Sequence, residues 1–368
     1  MVLTYDVGST PFSGDFDKFA RGSRAHPFLG LLHHSDTASD RRYFEDKTVE
    51  GFVDKIKAGI SVPNYPQFRD MNEMFLGCID GVTKSRGGYK VVDRVSIPEG
   101  KLIIPEVAVI EEREREISAK AGGPFNVKIC VTGPYTLASM FTSRESHLFT
   151  ELGTLVSKLV ENNVFNGKFG RVSLVAVDEP VFGLFDDPLL DYGRGGREEL
   201  LKSWENIFHG IKAKGAQSII HLHNTLDELY WQIKSLDIVE SHVDDAVYSS
   251  PKTKELLEKT DKSLKASICV TNFDTLIRNR EVSRGITAEA EISQRTAYAW
   301  TDIRKGAVEP TVFLESRDLI SDRLRRIVRQ YGGRVSHAGP ECGLRSFPTY
   351  DSAMECLRRV AAVAQQAS

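Results

Sequence analysis

The chain contains 368 residues, which exceeds one average domain but lies within the range of a single large barrel. Lys and Arg number 48 against 51 Asp and Glu, a net charge of −3, which argues against a non-specific nucleic-acid binder and a cationic membrane-surface protein. Because 41% of the residues are hydrophobic and 27% are charged, the composition is that of a folded globular protein.

Nine short runs rich in β-branched residues alternate with helical patterns along the chain. Several runs are continuously apolar, as in strands buried on both faces of a parallel sheet. The helical patterns include Leu201–Lys214 and Ser352–Ala364, the second with Asp351 as its expected N-cap. The predicted strands are Val2–Val7, Gly59–Val62, Val127–Val131, Ser173–Val177, Gln217–His221, Ile238–Val243, Ser267–Val270, Thr311–Leu314 and Arg334–His337.

This alternation predicts an α/β fold, a (β/α)8 TIM barrel in which residues 1–368 form one domain. The nine runs exceed the eight strands of such a barrel, so one run is expected to be an excursion or a hairpin. Two polar regions, 83–122 and 272–310, are predicted insertions. A doubly wound open sheet is the alternative fold, but the chain has neither GxGxxG after its first strand nor GxxxxGK[ST].

Cysteine use and the N-terminus favour a reducing compartment. The five cysteines include no CxxC pair, which does not fit a disulfide framework. The N-terminal residues lack the basic and apolar regions of a signal peptide, and no apolar stretch approaches the roughly 18 residues of a membrane span. We therefore expect a cytoplasmic protein with neither membrane nor nucleic-acid partners.

Histidines and a cysteine follow three of the predicted strands, at the barrel face where chemistry gathers in this fold. His221 and His223 lie two positions apart at the end of an apolar strand, so their side chains point to the same side. His242 ends the next strand, and Cys342 lies in a turn after the last one. Imidazole and thiolate are preferred ligands of Zn²⁺, and four of them complete a tetrahedral site. The alternative is a set of separate polar residues that line the barrel mouth.

Six short motifs, taken in order and spacing, resemble the catalytic barrel of cobalamin-independent methionine synthase: GSTP, MNEMF, VTGPYTL, VDEPVFG, HLH and GPECGL. That barrel belongs to the superfamily that also contains uroporphyrinogen decarboxylase. The resemblance extends from about residue 5 to the C-terminus and implies a TIM barrel. The family's separate N-terminal barrel has no counterpart here, as in the family's short core enzymes.

The resemblance implies one zinc ion per chain, which the family holds with a His-x-Cys pair, a Glu on the next strand and the Cys of a CGL turn. His221 and Cys342 match the first and last of these ligands. His223 stands at the usual Cys, and His242 stands at the Glu. A small shift in the alignment places Asp244 or Glu240 there instead of His242. The site is therefore either rich in histidine or has lost its metal.

The family's substrate contacts also have counterparts. Backbone amides of a Gly-Ser turn hold the amino-acid carboxylate, which implies Gly8 and Ser9. Two acids hold the ammonium group, which implies Glu73 and Asp178. Glu315 is the nearest counterpart of the family's proton-donating His, so Asp178 and Glu315 are the candidate catalytic residues. The alternatives are a helix N-cap role for Asp178 and a solvated helix position for Glu73.

The resemblance thus implies a zinc-dependent methyltransferase that converts homocysteine to methionine. Zinc ionises a bound thiol, and a His-rich ligand set lowers the nucleophilicity of the sulfur. An activated donor such as a methylcorrinoid protein is therefore favoured over methyltetrahydrofolate. Three alternatives stay open: a zinc-dependent alkyl transferase for another thiol such as coenzyme M, a metal-free decarboxylase-like relative, and an amino-acid-binding protein without zinc. His33 and His34, which follow the first strand, are expected in an exposed loop.

Overall fold

The computed structural model describes residues 2–24 and 35–366 and, for 35–37, the backbone alone. His33 and His34 lie outside these ranges. The strands are β1 (Leu3–Thr4), β2 (Asp80–Ser85), β3 (Gly88–Ser96), β4 (Phe125–Thr132), β5 (Gly170–Glu179), β6 (Gln217–Leu222), β7 (Ile238–Glu240), β8 (Ser263–Cys269) and β9 (Val335–Pro340). The helices are α1 (Phe16–Arg24), α2 (Ser35–Lys57), α3 (Met71–Leu76), α4 (Pro105–Glu112), α5 (Glu114–Ala121), α6 (Pro134–Ser139), α7 (His147–Asn163), α8 (Gly196–Ala213), α9 (Pro251–Thr260), α10 (Phe273–Ser283), α11 (Glu289–Arg304), α12 (Arg317–Tyr331) and α13 (Tyr350–Gln366).

Seven of these strands form one parallel sheet in the order β1-β9-β8-β7-β6-β5-β4. Both edges of the sheet meet the same short segment, residues 62–64. Val62 N donates to Thr4 O at 2.8 Å, and Lys128 N donates to Pro63 O at 2.9 Å, so this segment bridges β1 and β4. The sheet therefore curls into a barrel surrounded by helices, and the predicted TIM-barrel fold is confirmed.

Eight of the nine predicted strands correspond to a strand of the barrel sheet or to the bridging segment. The exception is Thr311–Leu314, which is wrong as a strand because Pro310–Phe313 form a 3-10 turn. Pro310 starts this turn, since its fixed φ and missing N–H suit the first position of a helical turn. The apolar residues of this run therefore lie in a helical turn and not in a strand.

Two predicted helices are present with adjusted ends. Leu201–Lys214 corresponds to α8, in which Trp204 and Ile211 are fully buried. Ser352–Ala364 corresponds to α13, but Asp351 lies inside this helix instead of capping it. Ser352 N donates to Thr349 Oγ1 at 3.1 Å, so Thr349 is the N-terminal cap.

The two predicted insertions consist of elements outside the barrel sheet. Residues 83–122 include most of the antiparallel hairpin β2–β3, followed by α4 and α5, which meet at Arg113 and pack against α2. Residues 272–310 include α10 and α11, which pack against each other. None of the helices in the described ranges is both long and apolar enough to cross a bilayer.

The barrel interior contains buried charged side chains as well as apolar ones. Lys55, Lys128 and Lys265 are all fully buried. Lys55 Nζ lies 2.7 Å from Asp6 Oδ2, and Lys265 Nζ lies 3.2 Å from Glu240 Oε2. Because a buried charge is costly without a partner, these pairs make the polar interior tolerable. Glu240 ends β7, so this interior continues into the carboxyl-terminal mouth of the barrel.

Candidate metal centre

Three neighbouring strands place ionisable side chains side by side at the carboxyl-terminal end of the barrel. In the register of the sheet, Asp178 of β5 pairs with His221 of β6, and His221 pairs with Glu240 of β7. All three residues are buried. His223 directly follows β6, and His242 lies two residues after β7. Two adjacent loops therefore start with imidazole rings at the same end of the barrel.

Four side chains form a compact group at this mouth, which we call the His/Cys cluster. Its members are His221, His223, His242 and Cys342. Each offers one potential ligand atom, and these four atoms all lie within 4.8 Å of one another. Cys342 Sγ is 3.7 Å from His223 Nε2, and the ring centroids of His223 and His242 are 3.9 Å apart. His221 is buried, whereas the other three are half-buried. Such a group can bind a metal ion.

The His/Cys cluster fits a metal ion in its chemistry and protonation. Among the described residues, His221 Nε2 and His242 Nε2 are buried without a hydrogen-bond partner, a cost that a bound ligand would remove. Burial and the charge of His221 lower the pKa of His223 to about 2 and the pKa of His242 to about 4. Both rings are therefore neutral at pH 7, as metal ligands must be. Imidazole and thiolate together are typical of zinc sites.

His221 also touches a carboxylate behind the cluster. Its Nδ1 lies 2.9 Å from Glu240 Oε1, although the angle falls outside that of a hydrogen bond. Burial on its own lowers the pKa of His221, but Cys342 and Glu240 outweigh this effect and raise the pKa to about 10. Without a metal, the His221 ring is protonated at pH 7. A metal ion that binds there must displace this proton.

Neither acid considered in place of His242 belongs to the cluster. Asp244 is exposed, has a φ of 61° and pairs with Arg326 at 2.8 Å. Glu240 is fully buried, and its Oε2 accepts a hydrogen bond from Tyr5 Oη at 2.7 Å. Burial favours the neutral acid, but Lys265 and His221 hold the pKa of Glu240 far below its usual value. Glu240 is thus a carboxylate behind the cluster.

A cavity of about 260 Å³ opens beside the cluster. A Cβ at Gly343 would lie 2.0 Å from Ser9 Oγ, so a larger residue there would force the Ser9 side chain to move where the turn after β9 packs against the loop after β1. Gly8, in the same loop, has a φ of 142°, which favours glycine. The polar lining of this cavity includes Ser9, Asn72, Asp178, His221, His223, Cys342 and Arg345.

Asp178 and Glu179 are adjacent in β5 but contact different surroundings. Asp178 lines the cavity, and in the described structure its Oδ1 has no hydrogen-bond partner. Glu179 accepts hydrogen bonds from Tyr135 N at 3.0 Å and Thr136 N at 2.7 Å, in the first turn of α6. Residues 180–182 form a turn, not a helix. The helix N-cap interpretation of Asp178 is therefore wrong, because no helix starts after it and the carboxylate that caps α6 belongs to Glu179.

Two predicted site residues lie outside the cavity. Glu73 in α3 is 66% exposed and pairs with Lys84 at 2.7 Å, which matches the solvated helix position considered as its alternative. Glu315 is buried, and its two oxygens each lie 2.7 Å from an Arg323 guanidinium nitrogen. Its Oε2 also accepts a hydrogen bond from Val270 N at 2.9 Å. Both carboxylates are thus engaged away from the His/Cys cluster.

Some residues of the site were not found by sequence reasoning. Asn72 lines the cavity, and its Oδ1 is buried without a hydrogen-bond partner in the described part of the chain. Lys128 and Lys265 support the site from the barrel interior. A signal for these two lysines exists, because each is the single charged residue in its strand. A charged residue in such a strand indicates a polar barrel interior.

A solved structure shares this fold. A B12-independent methionine synthase from Shewanella sp. W3-18-1, in complex with selenomethionine, matches with a TM-score of 0.61 and 15% identity, covering 100% of this chain and 98% of that one. A Xaa-Pro dipeptidase with methionine bound in its active site has a TM-score of 0.41 at 10% identity, covering 99% and 75% of the two chains, too low a score for any argument. No family model and no curated protein matches the chain. The chain therefore has a methionine-synthase-like barrel fold.

Proposed function

We propose that this protein is a zinc-dependent methyltransferase that transfers a methyl group to the thiol of homocysteine and forms methionine. One observation supports this most directly: Asp178, whose buried Oδ1 has no hydrogen-bond partner among the described residues, lines the same cavity as three members of the His/Cys cluster. One small molecule that carries both a thiol and an ammonium group can contact both sites. The methionine-synthase-like fold supports the same reaction class.

The His/Cys cluster would hold the zinc ion in this proposal. When bound, zinc supplies positive charge that ionises an incoming thiol, whose free pKa is about 8.5. With zinc bound, Cys342 would contribute a thiolate and the three histidines neutral rings, because metal ligands are deprotonated. Because the nucleophilicity of a sulfur falls with its pKa, this weakly anionic residue set favours a reactive methyl donor. We therefore propose a methylcorrinoid protein, in preference to methyltetrahydrofolate, as the donor.

The other walls of the cavity would bind the amino-acid end of homocysteine. Asp178 Oδ1 is buried and accepts no hydrogen bond from the described residues, so it is available to the ammonium group. Asn72 Oδ1 is also buried without a partner in the described structure, and it would take the role expected for Glu73. The backbone of Gly8 and Ser9 would contact the carboxylate. The cavity of about 260 Å³ lies below the roughly 300–1,000 Å³ of pockets for drug-sized ligands, which suits an amino acid.

A different thiol acceptor is favoured by one feature of the cavity. Glu73 does not reach it, whereas Arg345 lines it. Arg345 is half exposed and lies 3.5 Å from Asp70, a loose pairing that leaves its guanidinium available. A guanidinium binds a sulfonate or carboxylate well. The second candidate function is therefore alkyl transfer to a thiol with an anionic tail, such as coenzyme M.

Methyl transfer by the zinc-loaded protein tests these proposals. With methylcobalamin as donor and homocysteine as acceptor, we expect methionine, measured by mass spectrometry, and less product with methyltetrahydrofolate. Cys342→Ser is the control for non-enzymatic transfer. Coenzyme M in place of homocysteine separates the two acceptors, because methylated coenzyme M forms only under the second candidate function. Transfer from neither donor to homocysteine would refute the methionine assignment.

A further inference from the structure

The short helix α3 contributes to two cavities through different residues. Met71 and Asn72 line the cavity beside the His/Cys cluster, whereas residues 73–75 line a second cavity of about 380 Å³. Within the described chain, Arg69 lines both cavities. The second cavity lies within the roughly 300–1,000 Å³ of small-molecule pockets. We call it the α3 cavity, and its apolar lining includes Met74, Phe75, Ile103, Ile104 and Leu159.

The walls of the α3 cavity are fixed by hydrogen bonds on both sides. On one side, Ile104 N donates to Asn163 Oδ1 at 2.7 Å, and Asn163 Nδ2 donates to Leu102 O at 2.8 Å. These two bonds attach the segment before α4 to α7. On the other side, Asp70 Oδ1 accepts a hydrogen bond from Glu73 N at 3.1 Å and caps α3. The cavity is therefore formed before any ligand binds, as small-molecule sites usually are.

Positive charge predominates around the α3 cavity. In the described part of the chain, its charged lining residues are Arg24, Arg69, Lys101 and Glu73. The guanidinium of Arg69 is engaged by the buried carboxylate of Glu106 at 2.7 Å. Lys101 pairs with Asp80 at 2.8 Å, but these side chains are 39% and 53% exposed. Because exposed ion pairs contribute little, the ammonium group of Lys101 can also pair with a ligand. The rim of the cavity therefore favours a ligand with negative charge.

We propose that the α3 cavity binds an organic anion with an apolar body, such as an aromatic sulfonate or carboxylate. The apolar wall would remove the body of this molecule from water, and Lys101 would pair with its anionic group. A cation of the same shape is disfavoured because the positive rim repels it. A strongly polar molecule is disfavoured because the apolar wall offers it few hydrogen bonds. The inference does not depend on the proposed methyl transfer, since no member of the His/Cys cluster lines the α3 cavity.

Fluorescence titration with 8-anilinonaphthalene-1-sulfonate tests this site, because the probe combines an aromatic body with a sulfonate. N-phenyl-1-naphthylamine has the same rings without the sulfonate and is the matched neutral probe. We expect the wild type to bind the sulfonate probe saturably and more tightly than the neutral probe. Lys101→Gln should weaken the binding of the sulfonate probe roughly two- to fivefold and leave that of the neutral probe unchanged. Lys252→Gln is the control, because Lys252 pairs with Glu228 at 2.6 Å outside the cavity and should change neither affinity.

Ile103→Trp tests the location of the site. Ile103 is half-buried, so an indole at this position can fill the cavity while the rest of the fold is retained, which circular dichroism verifies. This variant should lose saturable binding of both probes. If it does not fold, the comparison of Lys101→Gln with Lys252→Gln still decides. Probe binding that Ile103→Trp leaves intact, or an equal effect of the two lysine variants, would overturn the proposal. The absence of saturable binding to the wild type would overturn it as well.

Discussion

Cys342 Sγ lies 3.7 Å from His223 Nε2, although 119 positions separate the two residues along the chain. The contact joins the end of β6 to the turn after β9. A serine hydroxyl at position 342 would be a much poorer zinc ligand than a thiolate. We expect Cys342→Ser to weaken zinc binding by more than the roughly 10–100-fold loss that changes behind the ligands cause. Chelator competition measures this loss.

Cys78→Ser is the matched control for that measurement. Cys78 is half-buried like Cys342, but its Sγ donates a hydrogen bond to Met74 O at 3.1 Å, outside the His/Cys cluster. Its substitution should leave the zinc affinity unchanged. An equal loss in both variants would mean that Cys342 has no special role in metal binding.

The sequence could predict the His/Cys cluster because all its members lie at the end of a strand or shortly after one. In a parallel barrel every strand ends at the same face, so strand order alone places His221, His242 and Cys342 at one mouth. The contacts behind the cluster were harder to predict from the sequence. The contact of Glu240 with His221 depends on the strand register, in which residues 221 and 240 face each other. No short-range pattern specifies that register.

A motif match did not determine the surroundings of two acids, Glu73 and Glu315. A motif match identifies Glu73 but does not determine which side of α3 faces the cavity. The cap at Asp70 starts the helix so that Asn72 faces inward and Glu73 faces solvent. Glu315 follows an apolar run that reads as a strand, but Pro310 turns this run into a 3-10 turn and Glu315 meets Arg323 instead. In both cases a local feature outside the matched motif, the cap at Asp70 or the proline at position 310, decides the structure around the acid.

Asp178→Asn tests the proposed ammonium contact. The change keeps the shape of the side chain but replaces a charge-assisted hydrogen bond, worth about 1.5–3 kcal/mol, with a neutral one. We expect the KM for homocysteine to rise roughly 5–10-fold, with a smaller effect on kcat. Steady-state methyl transfer from methylcobalamin measures both constants.

Glu73→Gln tests whether Glu73 is exposed to solvent, as in the structure, or contacts the substrate, as the motif match implies. Since Glu73 is exposed and pairs with Lys84, its substitution should leave the KM for homocysteine unchanged. A rise in KM as large as that of Asp178→Asn would instead show that Glu73 contacts the ammonium group of the substrate. Asn72→Ala, which removes a cavity acceptor, should raise KM by a smaller factor than Asp178→Asn.

Glu315→Gln tests whether this acid is structural. Its carboxylate forms a bidentate pair with Arg323, and loss of one partner leaves the guanidinium partly buried without a counter-charge. Breaking a buried pair costs about 3–5 kcal/mol, so urea unfolding should show a large loss of stability. The double change with Arg323→Met should recover most of it. Slower methyl transfer at unchanged stability would restore the proton-donor role expected from the resemblance.

Glu179 makes the stability of the fold depend on pH. Burial raises its pKa from 4.5 to about 7, against the effect of the hydrogen bonds from Trp204 and Thr136. A folded-state pKa above the unfolded value means that the folded protein binds the proton more tightly, so stability falls as pH rises from 4.5 to about 7. The difference between the two pKa values corresponds to a loss of about 3 kcal/mol in the free energy of unfolding. Glu179→Gln cannot titrate, so the stability of the wild type relative to this variant should fall by that amount between pH 4 and pH 8 in urea unfolding. A constant difference would show that burial does not raise the pKa of Glu179 above its unfolded value.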